Sequence, residues 1–292
     1  MMMKETINIS RRKFLTIINV TGVGLTVSGS VNEAKNNTIS FGIIADLHYA
    51  DKETWRNRHY RDSYEKLTRC IETFDELKPS FIIELGDFID ANEKEIEIGY
   101  LKKIDSVFSQ FHGDRYYVLG NHDLAVLSKE EFLSITGSLG KYYSFEYGSY
   151  HFVVLDGNYN RNGTDYNAGN FEWTETYIHA PQQEWLKKAL KKARDKKAFV
   201  FVHQTLHDET SVYGVKNAPE VRNILEEAGN VLAVFQGHNH QGDYKNVNGI
   251  HYVTLQGAVE GPGLENNRYA FVDINNKAIN IKGYGKQESL EL

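Results

Sequence analysis

Five short clusters of Asp, Asn and His residues each follow a run of strand-forming apolar residues. The clusters are Asp46-Leu47-His48, Gly86-Asp87, Gly120-Asn121-His122-Asp123, His203 and Gly237-His238-Asn239-His240. A strand carries its backbone to the edge of a sheet, so residues beyond several strand ends can meet there although they are far apart in sequence. Carboxylate, amide and imidazole groups are ligands of divalent metals. The sequence therefore predicts a metal site at one edge of a sheet.

This set of side chains suits a pair of metal ions that act on a phosphate. Two ions held ~3.5 to 4 Å apart can clamp a phosphate, activate a water and neutralise developing charge. Taken singly, Asp46 and Asp87 could be loop acids or helix N-caps, Asn121 could be a turn residue, and the histidines could be structural. The ordered set favours metal binding, because folding does not require this combination of ligands.

Strand patterns alternate with helical patterns along the chain. Near-continuous apolar runs typical of buried strands are 41–45, 81–85, 116–119, 198–202 and 231–235. Apolar residues at helical spacing predict helices over 62–78 and 94–111, and two more that begin at Pro181 and Pro219. This alternation predicts a layered α/β core.

Other segments have patterns typical of antiparallel strands. Residues 142–147 and 150–155 flank Gly148-Ser149 and predict a hairpin, and residues 243–284 contain short strands separated by Asn/Gly turns. The sheet is therefore mixed, or there are two sheets.

Residues 157–180 have no clear period and predict a long ordered loop. Its Tyr159, Tyr166, Phe171 and Trp173 could stack on a base or ring, or could hold the loop to the core, which is the role favoured for Phe171 and Trp173.

Composition and charge limit the possible functions. The chain has 292 residues, of which 41% are hydrophobic and 25% charged, and it carries a net charge of −6. These values predict one globular domain, which we place at residues 38–287. No long basic stripe is present, which argues against nucleic-acid binding. The sequence makes no prediction of oligomeric state.

Residues 1–33 read as an export signal. Ser10-Arg11-Arg12-Lys13-Phe14-Leu15 resembles a twin-arginine motif, and a short apolar stretch follows it. That stretch is interrupted by polar residues and glycines and is too short for a stable membrane span. An amphipathic or disordered N-terminus is the alternative. The expected location is periplasmic or extracellular.

The five clusters together resemble the calcineurin-like metallophosphoesterases, whose pattern is D-x-H, G-D, G-N-H-[DE], H and G-H-x-H. All five blocks occur in this order, and the resemblance spans residues 40–285. It implies a four-layer α/β/β/α sandwich with two mixed sheets, and a centre of two metal ions that are Mn, Fe or Zn.

The resemblance also implies roles for single residues. One metal would be held by Asp46, His48, Asp87 and His240. The other would be held by Asp87, Asn121, His203 and His238, so that Asp87 bridges. His122 would stabilise the transition state or protonate the leaving oxygen while a bridging hydroxide attacks phosphorus, and Asp123 is predicted to orient His122.

Less specific features resemble the manganese-dependent ADP-ribose/CDP-alcohol diphosphatases within this superfamily. They are Ala45-Asp46 with Tyr49-Ala50-Asp51, Tyr60-Arg61-x-Ser63, Gln183-x-Trp185-Leu186 and the run Leu255 to Glu260. His48 and Asp123 depart from that group, which often has Gln and can have Glu at these positions.

The expected substrate is a small phosphorylated, nucleotide-containing molecule with a phosphodiester or pyrophosphate bond. Arg56, Arg58 and Arg61 follow the first block and could contact phosphate oxygens, or could form a solvated surface. A broad phosphomonoesterase is the alternative enzyme. A non-catalytic binding protein on the same scaffold is the alternative outside enzymes.

Overall fold

The structure is a computed structural model that describes residues 38–90, 93–170 and 172–292. The export signal predicted for residues 1–33 lies outside the described residues and stays a prediction. Phe171 of the aromatic loop also lies outside them.

The described residues form strands β1 to β12 in two sheets. The strands are β1 Ile39–Ile44, β2 Phe81–Glu84, β3 Asp114–Tyr117, β4 Tyr143–Tyr147, β5 Tyr150–Val154, β6 Lys197–Phe201, β7 Val231–Gln236, β8 Gln241–Val247, β9 Ile250–Gln256, β10 Arg268–Ile274, β11 Ile279–Gly285 and β12 Leu290–Glu291. The first sheet has the order β12-β11-β10-β1-β2-β3, and the second has the order β4-β5-β6-β7-β9-β8. Both sheets contain parallel and antiparallel pairs, so both are mixed.

The α-helices of the described residues cover the outer faces of these sheets. They are α1 Ser63–Leu77, α2 Lys94–Phe108, α3 Lys129–Thr136, α4 Ala180–Lys192 and α5 Ala218–Ala228. Apolar side chains of α1, α2 and α3 pack on the first sheet, and those of α4 and α5 pack on the second. The predicted four-layer α/β/β/α sandwich is confirmed.

An aromatic core lies between the two sheets. Phe41 of β1 stacks on Phe81 of β2 at a centroid distance of 5.0 Å. Its edge-to-face partners are on the other sheet, where Phe201 lies 5.5 Å and Phe235 5.4 Å away. Aromatic pairs of this kind contribute about 0.5–1.5 kcal/mol beyond the area that they bury. The sheets are therefore held face to face by side chains from the strands that end at the site.

Most of the predicted elements occur, with two departures. The third predicted strand, 116–119, begins and ends two residues earlier as β3, because its ladder pairs Phe81–Glu84 with Asp114–Tyr117. Helix α3 was not predicted. It has only eight residues, and its signal is a capping box in which Ser128 and Glu131 bond to each other's backbone.

The helices of the described part of the chain are short and amphipathic or mixed in polarity. None of its helices has the length and apolar content that crossing a bilayer requires.

Replacing Phe41 by Ala should lower the free energy of unfolding by about 3–5 kcal/mol, because it leaves a cavity between the sheets. Denaturant unfolding followed by circular dichroism measures this loss. Val212→Ala is the control, since Val212 is 49% exposed and should change stability by less than about 0.5 kcal/mol. Similar losses in the two variants would contradict the assigned role of the aromatic core.

Candidate metal centre

The ends of five parallel strands bring the predicted ligands together. Strands β1, β2 and β3 of the first sheet lead to four of them, and β6 and β7 of the second sheet lead to the other three. In chain order these ligands are Asp46, His48, Asp87, Asn121, His203, His238 and His240. They are buried or nearly so, and they meet beyond the carboxyl ends of strands from both sheets, at one end of the sandwich.

Asp46, His48 and His240 form the first ligand group. The Nε2 atoms of His48 and His240 lie 3.1 Å apart. Asp46 Oδ1 lies 3.4 Å from His240 Nε2 and 3.9 Å from His48 Nε2. One carboxylate oxygen and two imidazole nitrogens therefore converge on a single point.

Asp87, His203 and His238 form the second ligand group. His203 Nε2 lies 3.2 Å from Asp87 Oδ2 and 3.2 Å from His238 Nδ1. The other nitrogen of His203, Nδ1, donates to the carbonyl oxygen of Leu85 at 2.8 Å. That bond fixes the ring so that Nε2 faces the group.

Asp87 joins the two groups. Its Oδ2 lies 3.5 Å from His48 Nε2 in the first group and 3.2 Å from His203 Nε2 in the second. Its Oδ1 accepts a hydrogen bond of 2.7 Å from the backbone N–H of His122. The carboxylate is thus placed where a bridging ligand would lie.

The backbone at this edge is unusually constrained. Asp46, His48, Asp87 and His238 all have positive φ, between 44° and 67°. Non-glycine residues adopt this conformation rarely, and it costs of order 1–3 kcal/mol where it occurs. Gly120 is required by close approach, because a Cβ there would lie 2.0 Å from the backbone nitrogen of Asp87.

The electrostatics of the centre favour cations. Burial alone would lower the pKa of His203, but Asp87 and its neighbours outweigh burial and raise it to about 9. In the same way, Asp46 opposes burial and raises the pKa of His240 to about 9. Burial lowers the pKa of His48 to about 4, so this ring is neutral. The carboxylates thus stabilise positive charge at His203 and His240, and a metal would replace the protons on these rings, because imidazoles bind metal in their neutral form and carboxylates in their ionised form.

Asn121 supports the fit of these residues to a metal. It is fully buried, and among the described residues neither oxygen nor nitrogen of its amide has a hydrogen-bond partner. An unpaired buried amide is costly unless another group satisfies it. Asn121 lines the same cleft as Asp87 and His238, where a metal would satisfy its oxygen.

Asp90, which sequence reasoning missed, orients two of the histidines. Its Oδ2 lies 3.2 Å from His48 Nδ1, and its Oδ1 lies 3.4 Å from His122 Nδ1. The side chain of Lys52 contacts the same carboxylate at 2.7 Å. Burial would raise the pKa of Asp90, but the contacts with His122 and His48 outweigh burial and lower it. Asp90 therefore holds a proposed ligand and the proposed acid together.

The prediction that Asp123 orients His122 is wrong. The Asp123 carboxylate accepts hydrogen bonds from the backbone N–H groups of Asp87, Phe88, Ile89 and Gly120, at 2.8 to 3.3 Å. Burial and the nearby Asp87 raise its pKa to about 7, although the Gly120 N–H opposes them. Asp123 therefore braces the loop that carries Asp87.

A cleft of about 360 Å³ opens above the ligands. Asp87, Asn121, His122, His238 and His240 contribute to its floor, and Trp55, Arg56, Arg58, Trp173 and Tyr213 also line it.

Two of the three predicted arginines, Arg56 and Arg58, line this cleft. Arg61 forms salt bridges of 2.5 Å with Asp51 and 3.0 Å with Glu53 on the exposed surface. Arg61 is not among the residues that line the cleft, and these exposed contacts favour the solvated-surface interpretation for it.

The long loop divides its aromatic residues between core and cleft. Tyr159 and Tyr166 are buried, and Tyr159 stacks on His179 at 3.9 Å. Trp173 is 41% exposed, and the centroid of its ring lies 5.8 Å from that of His238. The favoured interpretation of Trp173 as a core anchor is wrong, and the side chain is available for stacking. Trp55, 53% exposed, also lines the cleft, and sequence reasoning did not single it out.

Comparison with known proteins agrees with this geometry. The calcineurin-like phosphoesterase family model matches residues 39–242, which is more than half of the chain. The chain belongs to this family. It is therefore a metal-dependent hydrolase of phosphoric esters.

Similar proteins share almost the full length of the chain. A manganese-dependent ADP-ribose/CDP-alcohol diphosphatase of Arabidopsis thaliana is 28% identical over 88% of this chain and 98% of its own. A protein of the same name from Xenopus laevis is 26% identical over 87% and 90%. The crystal structure of a dimetal phosphatase from Danio rerio covers 87% of this chain and 98% of its own, with a TM-score of 0.76 and 21% identity. That structure shares the fold.

Replacing Asp90 by Asn should lower kcat about 10- to 100-fold, because an amide cannot accept hydrogen bonds from both imidazoles as the carboxylate does. Steady-state hydrolysis of bis(p-nitrophenyl) phosphate measures kcat, and thermal unfolding should show that stability is little changed.

Asp123→Asn is the matched comparison for Asp90→Asn. Its amide nitrogen would face backbone donors, so the free energy of unfolding should fall by about 1–3 kcal/mol. A loss of kcat in Asp123→Asn at unchanged stability, with normal kcat in Asp90→Asn, would reverse the two assignments.

Proposed function

We propose that this protein hydrolyses the diphosphate bond of small nucleotide-containing molecules such as ADP-ribose or a CDP-alcohol. Asp87 carries this proposal, because its carboxylate stands between two ligand groups at the floor of an open cleft. The names of the full-length relatives support the choice of substrate class.

The metal pair is assigned to the two groups that share Asp87. Asp46, His48 and His240 would complete one site, and His203 and His238 the other, together with the buried amide of Asn121. When bound, the ions would neutralise phosphate charge and activate a water for attack in line with the leaving oxygen. Mn²⁺ is the ion that we infer, because the relatives are named as manganese-dependent.

His122 is the proposed acid or transition-state stabiliser. Asp90 faces its Nδ1, which leaves Nε2 for the substrate in the cleft that His122 lines. Burial lowers the pKa of this imidazole, but Asp87 and Asp90 outweigh burial and raise it above its usual value. A ring that keeps its proton can donate a hydrogen bond to a phosphoryl oxygen or protonate the departing oxygen.

Arg56 and Arg58 are the proposed phosphate contacts from the chain itself. They flank Asn57 in a tight turn, in which the backbones of Trp55 and Arg58 bond to each other at 3.0 and 3.3 Å. Both residues line the cleft, where their guanidinium groups would contact a second phosphate. Such forked donors match the charge of a diphosphate better than that of a single ester.

Trp55 and Trp173 are the proposed contacts for the base. Both are exposed and line the cleft, but they lie on loops that are far apart in sequence. Both rings can therefore meet a ligand in this cleft, and base stacking on an aromatic ring contributes about 1–3 kcal/mol. A substrate with a base is therefore favoured over a simple monoester.

A substrate panel on metal-reloaded protein tests the function. After chelation and reloading with Mn²⁺, we expect ADP-ribose and CDP-choline to have a higher kcat/KM than cyclic nucleotides and p-nitrophenyl phosphate. The reason is that the first two substrates supply both a diphosphate and a base. Released phosphate or nucleotide is measured by chromatography.

The same panel distinguishes the alternative functions. Preference for p-nitrophenyl phosphate would establish the phosphomonoesterase alternative. Tight binding of two Mn²⁺ without hydrolysis of any phosphate ester would establish the binding-protein alternative. Asp87→Asn is the control, since it should lose both metal and activity.

Replacing Trp173 by Ala should weaken inhibition by AMP about 5- to 150-fold, which corresponds to the loss of about 1–3 kcal/mol of stacking. Inhibition by inorganic phosphate should be unchanged, because phosphate has no base. Tyr244→Ala is the control, since Tyr244 is an exposed aromatic residue on β8 that does not line the described cleft. Equal weakening of both inhibitors would contradict the base contact.

A further inference from the structure

Glu260, between β9 and β10, contacts a proposed metal ligand from outside the centre. Its Oε1 lies 2.7 Å from His240 Nδ1. On the other side of the ring, His240 Nε2 lies 3.4 Å from Asp46 Oδ1 and 3.1 Å from His48 Nε2. A carboxylate that accepts from Nδ1 fixes the tautomer, directs the lone pair of Nε2 and makes the ring a stronger ligand.

A buried lysine holds the backbone that carries Glu260. Lys66 of α1 donates from Nζ to the carbonyl oxygens of Ala258 at 2.8 Å, Glu260 at 3.2 Å and Gly261 at 2.7 Å. Burying an ammonium is costly unless its donors are satisfied, and here three carbonyl oxygens satisfy them. Arg268 also donates to the carbonyl oxygen of Glu260. The position of Glu260 is therefore set by the fold.

The same segment, residues 257–261, is tied to the first ligand group and to the arginine turn. Val259 donates its N–H to the carbonyl oxygen of Asp46 at 3.0 Å. It accepts from the N–H of His59 at 2.9 Å, and Gly261 donates to Asn57 at 2.8 Å. Segment 257–261 thus fixes the side chain of Glu260 relative to both the proposed metal and the proposed phosphate contacts.

We propose that Glu260 is a positioning residue that orients His240 toward the metal held by Asp46 and His48. It acts through the imidazole and does not itself bind the ion. This role rests on the proposed two-metal function, and it distinguishes the first site from the second, whose His203 is oriented by the carbonyl oxygen of Leu85.

Metal titration of Glu260 variants tests this role without an activity assay. Apo wild type and Glu260→Ala are titrated with Mn²⁺, and bound metal is measured by equilibrium dialysis. Wild type should bind two ions. Glu260→Ala should bind one ion with wild-type affinity and the other about 10- to 100-fold more weakly.

Electron paramagnetic resonance supplies a second readout that a general loss of stability would not produce. At a Mn²⁺ concentration that fills both wild-type sites, Glu260→Ala should replace the spin-coupled signal of a metal pair with the signal of isolated Mn²⁺. Glu260→Gln keeps an oxygen acceptor for Nδ1–H without the charge, so its affinity should lie between those of wild type and Glu260→Ala.

Glu265→Gln is the control, because Glu265 is an exposed acid close to the same segment and should bind both ions as wild type does. Thermal unfolding of the apo proteins shows whether each variant is folded. Wild-type affinity for both ions in Glu260→Ala would overturn the proposal. If Glu260→Ala does not fold, wild-type affinity for both ions in Glu260→Gln would overturn it. A wild type that binds no pair of ions overturns the proposed function instead.

Discussion

The Asp87 carboxylate meets groups from both sheets, and the rest of the site depends on that meeting. Its Oδ1 accepts a hydrogen bond from the backbone N–H of His122, which follows β3. Its Oδ2 faces His48, which follows a strand of the first sheet, and His203, which follows a strand of the second. These contacts require β2 and β6 to end within a few ångströms of each other. The aromatic core around Phe41 provides this alignment, because its side chains come from the same strands that deliver the ligands. The packing between the sheets therefore also determines the geometry of the site.

Sequence reasoning located the side chains that converge on the candidate metal centre, because their signal is local. An apolar run followed by Asp, Asn or His marks a strand end, and parallel strand ends share an edge, so the convergence of His203 and Asp87 could be predicted. The directions in which side chains point around a turn could not be predicted. His122 and Asp123 are adjacent in sequence, but residues 122–124 form a 3₁₀ turn in which successive side chains point about 120° apart. The imidazole therefore faces Asp90, and the next carboxylate faces the backbone.

The residues that surround the ligands were harder to predict, because loops have no periodic pattern. Asp90 reads as a loop acid in the sequence, and only the fold brings it under two imidazoles. The same holds for Trp173, whose exposure depends on how the loop crosses the cleft. Arg58 and Arg61 are three positions apart and look alike in the sequence. The turn at 55–58 directs the first into the cleft, and Asp51 holds the second at the surface.

The left-handed backbone at Asp46, His48, Asp87 and His238 has a consequence for how the centre forms. Flexible loops would have to be ordered by an arriving ion, and the entropy lost would weaken its binding. Here hydrogen bonds such as those from Asp46 to Gly86 and from His48 to Asp87 hold the strained conformations within the fold. The entropy of ordering these loops is therefore lost when the protein folds and not when the metal binds. The centre is preorganised, so that little protein rearrangement needs to accompany metal binding or the change in charge during reaction.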